Sequence, residues 1–380
     1  MFWFWLVVAP ALLLTLASLA TEHGRAAYIR RCLAPGSSDL TSANLPPASV
    51  IVPVKGFDEG LRENLAALAG LDYPDFELLI VARSAADIPP GVLPSRSRVV
   101  LAHGADPRTS EKIQNLTAAI HAARKRSRVF AFADSDGHVT PGWLRALAVP
   151  LASDAIGAST GYRWFLARPN PGSIFRAVWD AVSGGMLGPH DCPFAWGGSM
   201  AIRRQTFQDA QILERWKGAI SDDYILAAAI HAAGLSIAYA PAALVPSSES
   251  ISFPAFLSWS RRQLTITRFY APRLWQKGLL AHIIYCAAML GSLSLALRGS
   301  SLGWWTLAAQ LLPGMWKGSR RAALARACLP EYESWFRRYA WLHAVCVPFA
   351  TWLWLVALVS SAFGSTIKWR GYRYDLKNSA

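Results

Sequence analysis

Two carboxylates at the end of an apolar run carry the clearest chemistry in this chain. Residues 129–136 read Val-Phe-Ala-Phe-Ala-Asp-Ser-Asp, which predicts a buried strand ending at Asp134 and Asp136. Because residues i and i+2 of a strand point to the same side, both carboxylates can converge past its end. Their mutual repulsion favours a bound cation, and hard oxygen ligands suit Mg²⁺ or Mn²⁺. The pattern predicts a metal site, with an ordinary polar loop as the alternative.

A second acidic pair precedes a run of apolar residues at helical spacing. Ser221 is predicted to cap a helix that continues to residue 233, which places Asp222 and Asp223 in its first turn. A carboxylate in such a position can act as a general base on an acceptor hydroxyl. Acidic residues at a helix start also stabilise the helix by about 0.3–1 kcal/mol without any catalytic role, so both interpretations stay open here.

The elements that position these carboxylates form one alternating pattern in the central region. Strands are predicted over 48–54, 76–82, 98–103 and 129–133, and helices over 60–69 and 112–124. This alternation predicts an α/β domain with a mostly parallel sheet, and such sheets bind ligands past the carboxyl ends of their strands. The chain has no GxGxxG and no GxxxxGK[ST] motif, which argues against dinucleotide and P-loop sites.

The composition predicts a membrane protein. Of 380 residues 53% are hydrophobic, and 17 are Trp. The uncharged run Phe2–Ala20 is long enough to cross a bilayer, and without a basic segment before it we expect a retained anchor instead of a cleaved signal peptide. Basic residues after the run predict that the next domain lies in the cytoplasm. For the protein as a whole we expect a multi-pass protein of the bacterial inner membrane. Further apolar stretches occupy 278–297, 302–316 and 339–363.

The net charge of +14 indicates membrane lipids as partners. Basic residues cluster beside the apolar stretches, at 261–273, 317–338 and 368–373, where they would attract anionic headgroups. No nucleic-acid-binding motif is present, so we expect no nucleic acid partner. The five cysteines have no paired spacing and are predicted to be free thiols, and the neighbours His190, Asp191 and Cys192 are not expected to bind zinc.

Residues from about Ser49 to Trp275 resemble the membrane-bound glycosyltransferases of the A-type (GT-A) fold, and most closely the ceramide glucosyltransferase family. The motifs that carry the resemblance occur in the family's order, at 53–58 (Pro-Val-Lys-Gly-Phe-Asp), 71–74 (Leu-Asp-Tyr-Pro), 112–116 (Lys-Ile-Gln-Asn-Leu), 134–136 (Asp-Ser-Asp), 197–200 (Gly-Gly-Ser-Met, before Arg203) and 221–224 (Ser-Asp-Asp-Tyr). The resemblance implies a GT-A domain with N- and C-terminal transmembrane helices, a UDP-sugar donor, a lipid acceptor and a divalent metal.

The resemblance also implies roles on the donor side. Lys55, Asp58, Lys112 and Asn115 would bind the nucleotide sugar together with Asp134. Lys112 and Asn115 are three residues apart, so both can reach the ligand from one helix face. Taken without the family, the first two residues fit a charged loop and the last two fit a solvated helix start.

On the acceptor side, Asp223 rather than Asp222 matches the position of the family's general base. Trp196, Gly197 and Gly198 match a loop in which glycines would let the backbone approach the sugar, while the tryptophan would stack on the acceptor. A buried core tryptophan is the alternative for this position.

The last family motif is altered in this chain. The family carries Gln or Arg, two variable residues and then Arg-Trp, whereas residues 259–263 read Trp-Ser-Arg-Arg-Gln. Arg262 keeps the cation that would bind the pyrophosphate, as a second catalytic residue, and Gln263 stands at the acceptor-side Trp position. For Arg261 and Arg268 we expect a structural role in an amphipathic segment.

These features predict a membrane-anchored inverting glycosyltransferase that moves a hexose, with glucose expected, from a UDP-sugar to a hydroxyl of a membrane lipid such as ceramide. The alternatives are a processive polysaccharide synthase and a non-catalytic membrane scaffold. The predicted segments are an anchor at 1–21, a linker at 22–47, the GT-A domain at 48–252, an interfacial segment at 253–275, membrane segments at 276–364 and a basic tail at 365–380. Segments 278–297 and 302–316 should form a crossing hairpin, and 339–363 should bend at Pro348, returning the tail to the cytoplasm.

Overall fold

The computed structural model describes residues 2–34, 45–104 and 106–377. The chain divides into two compact units. The membrane unit, as we call it, comprises residues 1–28, 165–185 and 250–364. The catalytic unit comprises residues 29–164, 186–249 and 365–380. The predicted linker falls partly on residues 35–44, which lie outside the described residues.

The catalytic unit is built on a seven-stranded sheet in the order β3-β2-β1-β4-β6-β5-β7. Its strands are β1 (Ala48–Pro53), β2 (Phe76–Ala82), β3 (Ser97–Leu101), β4 (Val129–Ala133), β5 (Ile156–Phe165), β6 (Ser199–Arg203) and β7 (Ser236–Ser247). Strands β1 to β4 are mutually parallel, and β6 runs antiparallel to both β4 and β5. The predicted mostly parallel α/β sheet is confirmed.

The helices follow the strands in the expected alternation. In chain order they are α1 (Phe2–Cys32), α2 (Leu61–Ala69), α3 (Glu111–Ala122), α4 (Trp143–Ala148), α5 (Pro171–Gly184), α6 (Arg204–Asp209), α7 (Ile212–Trp216), α8 (Asp222–Ala232), α9 (Phe253–Tyr270), α10 (Pro272–Leu297), α11 (Ser301–Cys328), α12 (Glu333–Tyr339), α13 (Leu342–Val345) and α14 (Val347–Ser361). A hairpin of β8 (Thr366–Trp369) and β9 (Tyr372–Asp375) follows α14 and belongs to the catalytic unit.

The centre of the sheet explains where a ligand would bind. Every residue of β4 and all but the last of β1 are buried, as expected for parallel strands covered on both faces. After β1 the chain winds outward through β2 and β3 and then returns to β4 on the other side of β1. Between β1 and β4 lies a topological switch point, and the loops at their carboxyl ends form the usual ligand-binding crevice of an open α/β sheet.

In the membrane unit, α10 and α11 form a helical hairpin with very close packing at Gly303, and the predicted crossing of the membrane by this hairpin stays a prediction. A Cβ atom placed on this glycine would lie 2.2 Å from the backbone nitrogen of Ala296. Helix α11 does not end near residue 316, however. It runs through Pro313 to Cys328, because a proline inside a helix removes one hydrogen bond without forcing a stop, and the basic residues that follow are good helix formers.

The last apolar stretch is interrupted, as predicted from Pro348. Helix α12 ends at Tyr339, α13 covers only Leu342–Val345, and α14 begins at Val347 with the proline in its first turn. Arg261 Nη2 donates to the Phe363 carbonyl at 3.0 Å, and Arg268 donates to the carbonyls of Ala362 and Gly364. Both arginines therefore satisfy free carbonyls beyond the end of α14, a structural role of the expected kind.

Two of the described helices, α1 and α10, are long and apolar enough to cross a membrane. Helix α1 extends past residue 21, the predicted end of the anchor. Both helices expose large apolar side chains, among them Trp3 at 79% and Leu297 at 73% exposure. Such side chains are costly to leave in water over a continuous surface.

Candidate active site

The two carboxylates that follow β4 converge on one cation, the guanidinium of Arg163 from β5. Arg163 Nη2 lies 3.1 Å from Asp134 Oδ2, and its Nη1 lies 3.2 Å from Asp136 Oδ2. The Arg163 side chain is only 14% exposed. Strand geometry thus places both acidic side chains on the same side, and their oxygens face a common point that a cation can occupy.

The residue between these carboxylates is held from two directions. The Ser135 hydroxyl donates to Asp58 Oδ2 at 2.6 Å, and its carbonyl accepts a hydrogen bond from Asn64 Nδ2 of α2 at 3.0 Å. Asp58 lies in the loop after β1, so these contacts tie the loops of the two neighbouring strands together. Asp58 therefore lies at the crevice, as the resemblance implies.

Lys112 links the two acidic pairs. Its Nζ lies 3.1 Å from Asp134 Oδ1 and 3.2 Å from Asp222 Oδ2. The lysine occupies the first turn of α3, whose N-terminal cap is Ser110: the serine hydroxyl accepts from the Ile113 amide at 3.3 Å. The cap fixes where α3 begins and so directs Lys112 into the cluster.

The charges in this cluster shift one another's protonation equilibria. Burial would lower the pKa of Lys112, but the carboxylates of Asp134, Asp222 and Asp223 outweigh burial and raise it. Burial would raise the pKa of Asp134, but Lys112 and Arg163 hold it below its usual range. Each of these two groups therefore stays charged because the other is present.

The remaining carboxylates of the cluster shift upward. Burial is the main cause for Asp136, whose pKa is raised despite the nearby Arg163, with further repulsion from Asp134 and Asp58. Burial and the charge of Asp223 raise the pKa of Asp222 to about 6 against the effect of Lys112. Burial and mutual repulsion therefore both act against full ionisation of these two carboxylates.

The glycine pair before β6 packs directly against these carboxylates. A Cβ atom on Gly197 would lie 2.6 Å from Asp222 Oδ2, and one on Gly198 would lie 2.5 Å from Asp134 Oδ2. The expectation that the glycines make room for the sugar is therefore only part of their role. A side chain at either position would also displace Asp222 and Lys112, or Trp196 and Asp134, from their places in the site.

Asp223 is held by three hydrogen-bond donors. Its Oδ2 accepts from the Gly197 amide at 3.1 Å, and its Oδ1 accepts from the Ser221 hydroxyl at 2.5 Å and from the Tyr224 amide at 2.8 Å. Ser221 stands at the capping position of α8, but its side chain accepts no capping hydrogen bond. The prediction that Ser221 caps the helix with its side chain is wrong, because the hydroxyl donates to Asp223 instead.

Asp222 and Asp223 differ in accessibility. Asp222 is buried, with 4% of its side chain exposed, and pairs with Lys112, whereas Asp223 is only partly buried. Of the two, Asp223 is the one an incoming hydroxyl could reach. The role of Asp223 as general base stays a prediction.

Trp196 makes a cation–π contact with Arg163. The Arg163 guanidinium lies 4.7 Å from the centre of the Trp196 ring, and the Tyr162 ring packs edge-on against the same indole at 5.9 Å. The indole is partly buried against the main core of the catalytic unit. A cation–π contact of this kind orients Arg163 between its carboxylates.

The other residues predicted to bind nucleotide lie in different surroundings. Lys55 Nζ pairs with Glu111 Oε2 at 2.7 Å and lies 3.9 Å from the centre of the Tyr372 ring. Asn115 is 2% exposed, and its Oδ1 has no hydrogen-bond partner among the described residues. The shared helix face thus places Lys112 in the cluster but leaves Asn115 in the interior.

Arg262 and Gln263 lie on α9, in the membrane unit, and both are partly buried. Their roles at the donor and acceptor remain predictions.

Three residues of the site were missed by the sequence reasoning: Arg163, Glu111 and Arg370. Arg163 had a usable signal, since a charged residue between Tyr162 and Trp164 in an apolar strand requires a buried partner.

The donor set fits a hard divalent ion that is completed by its substrate. In the part of the chain that the structure describes, no group of three or more His, Cys, Asp or Glu residues could hold a metal alone. Asp134 and Asp136 supply two carboxylates directed at one point, and Mg²⁺ in particular is usually held by one or two carboxylates plus phosphates and water. The two carboxylates are therefore suited to share such an ion with a phosphorylated ligand.

A family model described as Glycosyl transferase family 21 matches residues 4–380. Together with the strand order, this match confirms the predicted A-type fold and the placement suggested by the resemblance at the level of the family. No curated protein matches the chain.

Solved structures resemble the chain only distantly. The mannosyltransferase PcManGT from Pyrobaculum calidifontis, solved in complex with GDP-Man and Mn²⁺, shares 19% identity over 94% of this chain and 97% of its own, with a TM-score of 0.48. A glucosyl-3-phosphoglycerate synthase from Mycobacterium tuberculosis, solved with Mn²⁺, UDP and glucosyl-3-phosphoglycerate, shares 15% identity over 63% of this chain and 86% of its own, with a TM-score of 0.42. At these values the likeness does not extend to function.

Proposed function

This chain belongs to glycosyl transferase family 21, and we propose that it is a membrane-anchored inverting enzyme that moves a hexose from a UDP-sugar to a hydroxyl of a membrane lipid. Glucose is the donor sugar and ceramide the representative acceptor that we propose from the sequence resemblance. One observation carries the proposal: Lys112 joins the two acidic pairs. Its Nζ lies 3.1 Å from Asp134, which together with Asp136 is directed at Arg163, and 3.2 Å from Asp222, the neighbour of the separately held Asp223.

The donor half of the site would bind the nucleotide diphosphate. Asp134 and Asp136 would hold Mg²⁺ or Mn²⁺, which would neutralise charge that develops on the leaving diphosphate. Arg163 bridges these carboxylates in the structure and would contact the phosphates instead if a metal ion occupied its place. Lys112 keeps its contact with Asp134 and would add a second, fixed positive charge near the leaving group.

The acceptor half would activate the lipid hydroxyl. Asp223 would remove the hydroxyl proton while the oxygen attacks the anomeric carbon from the side opposite the diphosphate, which inverts the configuration. The Gly197 amide and the Ser221 hydroxyl hold the carboxylate in one orientation, so little reorganisation is needed at the moment of reaction. Each carboxylate oxygen has two lone pairs, which leaves acceptor capacity for the substrate hydroxyl.

The membrane part of the proposal is supported by α1 and α10 and by the course of the chain. The chain leaves the catalytic unit after residue 249 and re-enters it at residue 365. If α10 and α11 cross as a pair and α14 does not cross, both ends of the excursion lie on one side of the bilayer. The catalytic unit would then face the cytoplasm, where basic residues are enriched beside membrane segments.

Transfer from radiolabelled UDP-glucose tests the proposal. The purified protein in lipid vesicles would receive UDP-[¹⁴C]glucose, Mn²⁺ and extracted membrane lipids, with Asp223→Asn as a matched inactive control. We expect label in the organic-soluble fraction with the wild type only. Label in an insoluble polymer would indicate a polysaccharide synthase, and the absence of transfer with every donor sugar would favour a non-catalytic scaffold.

A further inference from the structure

The hairpin of β8 and β9 places an arginine at an unusual position in its turn. Arg370 and Gly371 connect the strands with backbone φ angles of +49° and +87°. Two-residue hairpin turns with positive φ at both positions strongly prefer Asn-Gly or Gly-Gly, because a larger side chain is disfavoured in the left-handed region. Arg370 is one of two non-glycine residues with positive φ in the described chain. A long cationic side chain thus occupies the tip of the hairpin despite this preference.

The hairpin is firmly fixed to the catalytic unit. Ile367 and Tyr374 pair across its strands, and both are buried, as is Leu376 just beyond. The Tyr374 hydroxyl accepts a hydrogen bond from the Glu111 amide at the start of α3, at 3.2 Å. The hairpin therefore has a definite position beside the loop that precedes Lys112.

The tip of the hairpin reaches the crevice between β1 and β4. Arg370 Nη2 lies 2.7 Å from Asp58 Oδ1, and the other oxygen of Asp58 accepts from the Ser135 hydroxyl. Burial would lower the pKa of Arg370, but the charges of Asp58, Asp136 and Asp134 together raise it. Ser135 stands between Asp134 and Asp136 in the chain, so its contact with Asp58 joins Arg370 to the loop that carries both carboxylates.

Most of the binding capacity of Arg370 remains unused. A guanidinium carries five N–H donors, of which Asp58 engages those on one nitrogen, and 43% of the side chain is exposed. Guanidinium groups bind phosphate oxygens in a bidentate fashion. Tyr372, two residues after Arg370, contacts the Lys55 ammonium at 3.9 Å from its ring centre, and Lys55 is a second residue of the predicted nucleotide pocket.

We propose that residues 365–377 form a wall of the donor site and that Arg370 binds the diphosphate of the nucleotide sugar. This inference rests on the proposed function and adds to it a phosphate-binding residue from outside the sheet. Three carboxylates, Asp58, Asp134 and Asp136, would otherwise repel a diphosphate at the carboxyl ends of β1 and β4. Arg370, paired with Asp58, offsets part of this repulsion, in addition to the charge of Lys112 beside Asp134.

Binding of UDP and of uridine to the full-length protein separates a phosphate contact from a general disturbance of the site. In vesicles containing Mn²⁺, Arg370→Ala should bind UDP about 10- to 100-fold more weakly than the wild type, the range expected for a lost charge-assisted hydrogen bond. Competition by uridine, which has no phosphate, should change little. Arg370→Lys should recover part of the UDP affinity. Arg373→Ala, an exposed change on the same hairpin, is the matched control and should bind both as the wild type does.

A double substitution distinguishes phosphate binding from simple neutralisation of Asp58. If Arg370 only balances Asp58, then Arg370→Ala should have no effect on UDP binding once Asp58→Asn has removed the charge. We expect the loss to persist in the Asp58→Asn background.

Kinetics give the second measurement. Arg370→Ala should raise the KM for the UDP-sugar and leave the KM for the lipid acceptor unchanged. Wild-type UDP affinity and wild-type transfer in Arg370→Ala would overturn the inference while leaving the proposed function intact. A wild-type protein that binds no UDP would overturn both.

Discussion

Ser221 donates its hydroxyl hydrogen to Asp223 at 2.5 Å, two residues away at the start of α8. A serine at this position usually accepts a hydrogen bond from a helix amide. Here the serine gives up that role, and the helix start is used to orient a carboxylate. The Gly197 amide holds the other oxygen of the same group. The carboxylate is therefore positioned from two separate segments of the chain.

Asp223→Asn should separate donor binding from transfer. The amide keeps the size of the side chain but cannot accept a proton, so we expect transfer to fall by about 10²- to 10⁴-fold while UDP binding is retained. Asp222→Asn, at the neighbouring buried position, is the comparison. Near wild-type transfer in Asp223→Asn would exclude this residue as the base.

Asp136→Asn should remove one of the two carboxylates proposed to hold the metal. Because metal neutralisation of a leaving diphosphate contributes several kcal/mol, we expect turnover to fall by about 100-fold or more, with a higher Mn²⁺ or Mg²⁺ requirement. Circular dichroism should show an unchanged fold, and Asp154→Asn, at an exposed position outside the cluster, serves as control. Full wild-type activity in excess EDTA would contradict a metal at this position.

Arg163→Ala should lower the stability of the metal-free protein. Without the guanidinium, Asp136 loses its ion-pair partner and Asp134 keeps only Lys112, a loss comparable to breaking a buried ion pair, so the thermal midpoint should fall by about 5–10 °C. Added Mn²⁺ should raise the midpoint more in this variant than in the wild type, since no side chain competes with the ion. Arg108→Ala, which removes a side chain that is 73% exposed, should change the thermal midpoint little. Equal Mn²⁺ effects in both proteins would show that Arg163 and the ion do not share a position.

Asp222 should make the folded protein more stable as the pH falls toward its unfolded pKa. Its folded pKa of about 6 lies above the unfolded value of about 4, so between these values the folded state holds a proton that the unfolded state lacks. The free energy of unfolding should therefore rise as the pH is lowered from about 6 to 4, relative to Asp222→Asn. Denaturant titrations of both proteins across this range measure the difference. A difference that stays constant or changes in the opposite direction would contradict the raised pKa.

The side of the membrane on which residue 377 lies tests the proposed topology. In a variant whose native cysteines are replaced by alanine, Lys377→Cys should resist an impermeant thiol reagent on intact cells and react after permeabilisation. Ser300→Cys, between α10 and α11, should react from outside. Strong labelling of position 377 on intact cells would mean that the segment before it crosses the bilayer.

Features of the fold and site that depend on neighbouring residues could be predicted from the sequence. Contacts between residues far apart in the chain could not. The convergence of Asp134 and Asp136 follows from the two-residue repeat of one strand, so it could be predicted locally. The contact of Arg163 with them requires knowing that β6 lies between β4 and β5 in the sheet. Arg370 and Asp58 are separated by 312 positions, and no local pattern joins them.

The helices show the same division. The interruption at Pro348 was predictable, because a proline favours the first turn of a helix. The continuation of α11 to Cys328 was not, since hydropathy marks where a helix leaves an apolar environment and not where its hydrogen bonds end. The inward position of Lys112 and the burial of Asn115 on one face of α3 depend on what packs against that face, which the spacing alone does not determine.

The position of the β8–β9 hairpin has a consequence for the order in which the protein is made. Ribosomes produce Asp58 and the strands of the sheet early, whereas Arg370 and Tyr374 emerge only after α9 to α14 have been synthesised. The crevice between β1 and β4 can therefore acquire its contact with Arg370 only after the helices α9 to α14 have been made. A nascent chain that stops within those helices would lack Arg370 at its crevice. Complete binding of the nucleotide sugar would therefore begin only after translation has passed α14.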